Sequence, residues 1–190
     1  LELRACFQGV SSLTCQACSS GQLGDGTTTD QSMSVQVVGL SNTVQVEGDS
    51  FFSCARLMGG AVQCWGQNDS GQLGDGTNTD HRAPAPVVGM LNAAQIALGF
   101  YHACARVADG SEPVLCWGAN THGQLGDGTI LNRNAPVAVM NVMRATQIAG
   151  GFDHTCALLS GGTVRCWGSN ASGQLGVLPG SSTPVAVVWR

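Results

Sequence analysis

A short signature, Gly-Gln-Leu-Gly, returns at Gly21, Gly71, Gly123 and Gly173, so the chain repeats itself about every 50 residues. The fullest setting of the signature is residues 162–176, GTVRCWGSNASGQLG, with close copies at 61–74 and 114–126 and a worn copy at 13–24. A unit of this size cannot bury its own apolar face, so neighbouring units must stack to build the core. The 190 residues therefore read as a single repeat domain, with repeats at approximately 1–33, 34–83, 84–135 and 136–190.

Within a unit the apolar residues follow a period of two. In the last repeat, residues 146–149, 154–159, 163–167 and 183–188 read as four short strands, with Ser160-Gly161-Gly162 as a hairpin turn. Along HTCALL, His154, Cys156 and Leu158 share one face, and Thr155, Ala157 and Leu159 share the other. Both faces are largely apolar, as blades packed on both sides require. No stretch carries an apolar period near 3.6 long enough for a helix. The fold class is all-β, with about four four-stranded antiparallel blades forming a partial or small ring.

Composition narrows the partners. The formal charge is −4, with eight arginines and no lysine. No basic stripe of the kind that holds nucleic acid is present, and no apolar run reaches the roughly 18 residues of a membrane-spanning helix. The chain starts within a repeat, without a start Met, and reads as a mature product or an excised fragment. Residues 183–188 and 3–15 read as complementary parts of one split blade. That leaves ring closure or self-association open.

Nine cysteines recur in step with the repeat. Cys54 and Cys64 are ten apart, Cys156 and Cys166 ten, and Cys104 and Cys116 twelve. An even separation sets two residues opposite each other across a hairpin with an odd-length loop. These pairs are expected to form disulfides, which places the chain in an oxidising, extracytoplasmic compartment. Near the start Cys6 pairs with Cys15 or with Cys18.

Candidates for chemistry are few. His102 and His154 each lie two residues before a cysteine, facing Cys116 and Cys166, and would offer three of the four ligands of a zinc site. Phe52 and Arg4 hold the same place in other repeats, so the histidines read as structural, bonded to a loop backbone. The Gly-Asp-Gly-Thr loops at 24–27, 74–77 and 126–129 lack the alternating oxygen ligands and closing Glu of a calcium loop, and read as turns. Cys15 and Cys18 form a C-x-x-C motif with no helix to lower a thiol pKa. Asn68 and Asn170 open glycosylation sequons. No Ser-His-Asp or paired-carboxylate arrangement recurs. The chain reads as no enzyme, with no catalytic residue, cofactor or metal.

Gln63-Cys64-Trp65-Gly66-Gln67-Asn68, the following Gly71-Gln72-Leu73-Gly74, Pro86-Val87-Val88, and the run from Ile96 to Ala105 together resemble the regulator-of-chromosome-condensation repeat family. The resemblance covers nearly the whole chain. It implies a β-propeller, usually of seven four-stranded blades, and its double-cysteine form is similar to secreted bacterial members. The family includes an exchange factor, a plant photoreceptor and a bacterial β-lactamase inhibitor, so fold alone does not choose a function. A non-enzymatic module binding an unidentified protein is the leading expectation. The alternatives are a structural segment of a surface or adhesion protein and a carbohydrate-binding accessory domain. Phe51, Phe52, Phe100, Tyr101, Phe152 and Asp153 occupy matching turns and are the candidate binding face, since large rigid aromatics suit hot spots. Among them, Tyr101 and Phe51 are expected to be the most exposed.

Overall fold

Alternating apolar residues punctuated by Gly-rich turns leave the chain one cheap option, a run of antiparallel hairpins. A computed structural model describes residues 19–108, 113–176 and 181–187. Twelve strands are formed among them. They are β1 (Thr43–Gly48), β2 (Phe52–Leu57), β3 (Val62–Gly66), β4 (His81–Pro86), β5 (Ala93–Leu98) and β6 (His102–Val107). Then come β7 (Val114–Gly118), β8 (Arg133–Ala138), β9 (Ala145–Gly150), β10 (His154–Leu159), β11 (Val164–Gly168) and β12 (Ser181–Ala186). They make three four-stranded sheets, each in sequence order and antiparallel throughout: β1 to β4, β5 to β8, and β9 to β12. There is no helix among the described residues.

Each central hairpin is stapled. Register sets Cys54 opposite Cys64, Cys104 opposite Cys116 and Cys156 opposite Cys166, and all three pairs are disulfide-bonded with Cα atoms 4.1 Å apart. The longer turn between β6 and β7 adds two residues and so preserves the facing. Cys6, Cys15 and Cys18 lie outside the described residues.

The cores lie between sheets. Phe52, Cys54, Val62 and Cys64 of the first sheet meet Ile96, Ala103, Ala105 and Trp117 of the second. Cys104, Val114 and Cys116 of the second meet Ile148, Ala157 and Trp167 of the third. This explains why both strand faces are apolar: a middle sheet buries one face forward and the other backward. The first strands β1, β5 and β9 contact one another in turn and form the inner side of the array. Side chains bridge them: Gln45 donates to Ile96 O at 2.8 Å and accepts from its N–H at 3.0 Å, and Gln95 does the same with Ile148 at 2.9 and 3.0 Å.

The signature loop is the joint between sheets. The indole N–H of Trp65 donates to Gln22 O at 2.9 Å, that of Trp117 to Gln72 O at 3.0 Å, and that of Trp167 to Gln124 O at 2.9 Å. Each loop thus rests on the tryptophan of the next unit. The fit leaves no room for a side chain: a Cβ on Gly71 would lie 2.5 Å from Asn134 Cα, and one on Gly74 2.7 Å from the Trp117 ring.

One expectation needs correcting. The final strand does not open a split blade. β12 pairs with β11, Arg165 opposite Ala186 and Cys166 opposite Val185, and completes the third sheet. The fourth strand of the repeat therefore lies at the edge of its own sheet, as β4 and β8 do. The opening hairpin falls outside the described residues.

Candidate functional site

The turns that join the first and second strands of each sheet leave at one end of the array. They carry Phe51, then Phe100 and Tyr101, then Phe152 and Asp153. The four rings touch in series. Phe51 stacks on Tyr101 at 5.4 Å and meets Phe100 edge-on at 5.4 Å; Phe100 meets Tyr101 edge-on at 4.4 Å and stacks on Phe152 at 4.0 Å. Backbone fixes this spacing. Phe100 N–H donates to Phe152 O, which ties neighbouring turns. Gln67, Ala119 and Ser169 donate their N–H to Phe51, Tyr101 and Asp153 O, tying each turn to the loop that follows the third strand.

Exposure differs from expectation. Phe152 is the most open, at 62%, whereas Phe51, Phe100 and Tyr101 are half-buried because each is covered by its neighbours. Phe52 is not part of this face. It begins β2, points the other way along the strand, and is fully buried between the first two sheets.

Carboxylates surround the rings. Burial raises the Tyr101 phenol above its ordinary value, and the charges of Asp49 and Asp69 add to that. Burial likewise raises the Asp49 carboxyl, against the N–H that Ser50 donates to it. Asp69 accepts from Gln67 Nε2 at 2.6 Å. Asp153 accepts from Gln124 Nε2 at 3.2 Å and has His122 Nδ1 at 3.6 Å. Sequence reasoning singled out neither Asp49, Asp69 nor His122. Asp49 sits two residues before Phe51, but the matching of turns between repeats was drawn from the aromatics, and Asp49 has no carboxylate counterpart in the turn of Phe100 and Tyr101.

The other candidates resolve into structure. His102 is fully buried and its Nε2 bonds Thr155 Oγ1 at 2.9 Å, a side chain of the next sheet rather than a loop backbone. The cysteines facing it are disulfide-bonded, so they offer no thiolate to a metal. No group of three His, Cys, Asp or Glu side chains suited to a metal occurs among the described residues. In the Gly-Asp-Gly-Thr loops, Asp25, Asp75 and Asp127 each accept from the N–H and hydroxyl of the Thr two residues on. For Asp127, burial works to raise the pKa, but bonds from Thr129, Arg133 and Asn120 outweigh it and hold the carboxyl below its usual value. Asn68 is fully buried, its amide donating to Asp75, Thr77 O and Thr79 O, so it is no glycan acceptor in the folded chain. Asn170 accepts from Leu175 N–H through the same kind of loop.

Two models of one repeat, described as the Regulator of chromosome condensation (RCC1) repeat, match the chain. One covers residues 59–106 and 113–158, the other 93–124 and 145–174. No curated protein matches. Among solved structures, human WBSCR16 is 24% identical with a TM-score of 0.76, over 89% of this chain and 45% of that one. Prp20p from Saccharomyces cerevisiae is 18% identical with a TM-score of 0.75, over 90% and 44%. The ectodomain of the Physcomitrella patens receptor kinase CR4 is 25% identical with a TM-score of 0.50, over 73% and 34%. The chain spans less than half the length of these structures. The fold they share with it is the β-propeller of this repeat.

Proposed function

Because the chain belongs to the regulator of chromosome condensation (RCC1) repeat family, we propose that it is a non-enzymatic binding module that holds another protein against its aromatic end. The observation that carries this reading is the continuous series of four rings, drawn from three sheets and ending in an exposed Phe152. Aromatics offer a large contact area with few rotamers to freeze. Relatives lend support: Prp20p has binding properties to Gsp1p and histones, and yeast RCC1 (Prp20) is known bound to Kap60. An extracytoplasmic setting goes with this reading, supported by the three disulfides among the described residues and by likeness to a receptor ectodomain.

The test is quantitative capture of a partner by the intact chain and by single variants. Tyr101→Ala and Phe152→Ala should each weaken binding by about 2 kcal/mol, roughly 30-fold. Phe152→Ala should leave the melting temperature nearly unchanged, since that ring is mostly in solvent. Unchanged affinity, or a loss of stability equal to the loss of binding, would place the interface elsewhere. Glycan-array binding without protein capture would instead favour the carbohydrate-binding alternative.

A further inference from the structure

We propose that the aromatic end takes a cationic segment of its partner, an arginine- or lysine-rich stretch whose stems lie on the four rings and whose heads reach Asp49, Asp69 and Asp153. This rests on the binding-module reading and adds the chemistry of what is bound.

Three observations converge on it. The first is placement. Asp49 lies in the turn of Phe51, its N–H bonded to Phe52 O. Asp69 is held by Gln67, whose own N–H bonds to Phe51 O. Asp153 directly follows Phe152. The second is the distribution of positive charge. The chain has no lysine. Arg56, Arg106 and Arg165 sit on the halves of β2, β6 and β11 remote from these turns, opposite Val62, Val114 and Ala157. Arg144 is at the remote end too, its O accepting from Ser160 beyond β10. At the aromatic end Arg133 is engaged by Asp127 at 2.9 Å on the outer strand β8, and Arg82 is exposed on the outer strand β4. Among the described residues only His122 approaches one of the three carboxylates as an ion-pair partner.

The third is what covering the rings entails. A partner laid over Phe51 and Tyr101 also removes water from Asp49 and Asp69, whose charge the Tyr101 phenol already feels. An apolar partner would leave those carboxylates buried and unpaired, which is strongly unfavourable. An anionic partner would add repulsion. A guanidinium or ammonium answers both demands, because it is attracted to the face of an aromatic ring and to a neighbouring carboxylate.

The probes are a capped arginine–glycine repeat peptide and a glutamate–glycine peptide of equal length, titrated into the full chain with backbone amide shifts as the readout. The arginine peptide should move the amides of Phe51, Tyr101 and Phe152, and its binding should weaken as salt is raised. Asp49→Asn with Asp69→Asn should reduce affinity roughly tenfold or more, and the glutamate peptide should not bind. Asn retains an acceptor oxygen for the turn bonds, and Asp153→Asn repeats the test if the double variant folds poorly. Equal binding of both peptides, no binding, affinity unchanged in the Asn variants, or shifts centred on Asp25, Asp75 and Asp127 would each overturn the proposal. Partner capture lost in Phe152→Ala but untouched in the Asn variants would retain the binding module while overturning its cationic ligand.

Discussion

His102 shows how much one position can hold. Thr155 spends its hydroxyl proton on Gln124 O at 3.0 Å, so the bond between His102 Nε2 and Thr155 Oγ1 requires the histidine to donate. That fixes the neutral Nε2–H tautomer, and Nδ1 is left buried without a partner among the described residues. Burial, with the charge of His154 adding to it, lowers its pKa from 6.5 to about 3. In the unfolded chain the same ring protonates near 6.5. Unfolded molecules therefore bind more protons throughout that interval, and the stability due to a neutral His102 is full above pH 6.5 and lost as pH falls toward 3. The unfolding free energy from urea titration should decline on acidification by up to about 1.4 kcal/mol per pH unit. His102→Gln should flatten the decline, and an unaltered slope would show that another group is responsible. In sequence this column of the repeat reads Phe52, His102, His154, which is why it looked at once like a binding face and a metal site. What it does depends on the residue it meets: Phe52 lies against the second sheet, in one core with Ala103, and His102 against Thr155. A partner about fifty residues away is not visible in local spacing.

At the scale of the element, hairpins were legible and joints were not. Cysteine parity and strand alternation follow from one period, so β2 with β3, β6 with β7 and β10 with β11 could be placed residue by residue. The signature loops were equally visible, yet their role as seats for the next tryptophan requires contacts between units. Gly71 and Gly173 isolate that role. Both hold the left-handed backbone, φ 80° and 77°, but a Cβ would strike Asn134 at Gly71 and meet nothing among the described residues within 4 Å at Gly173. Gly173→Ala should therefore cost only the backbone term, about 1–2 kcal/mol, whereas Gly71→Ala should cost that and force two sheets apart. Denaturant titration of the two variants checks the difference, and equal losses would mean that the loop does not bear on its neighbour.

At the scale of the whole molecule, the described residues leave the outward side of the third sheet unfilled. On the third sheet Gln147 stands where Gln45 and Gln95 clasp the next first strand, but it is exposed. His154 meets no hydroxyl among the described residues, and Gln174 O receives no indole from them. Leu158 lies on the same face as His154 and Cys156. Uncovered apolar faces promote association, so light scattering should give a mass above the 19.4 kDa of one chain, and Leu158→Glu should restore it. A single-chain mass with rapid amide exchange along β9 would contradict this. The joint between sheets carries a further consequence. Every one of them runs the same way, with a carbonyl from the earlier unit and an indole from the later. An array of such joints is a polar object, like a filament with distinguishable ends. Its two ends cannot be interchanged, and growth there is head-to-tail, by a contact that either closes on itself or continues.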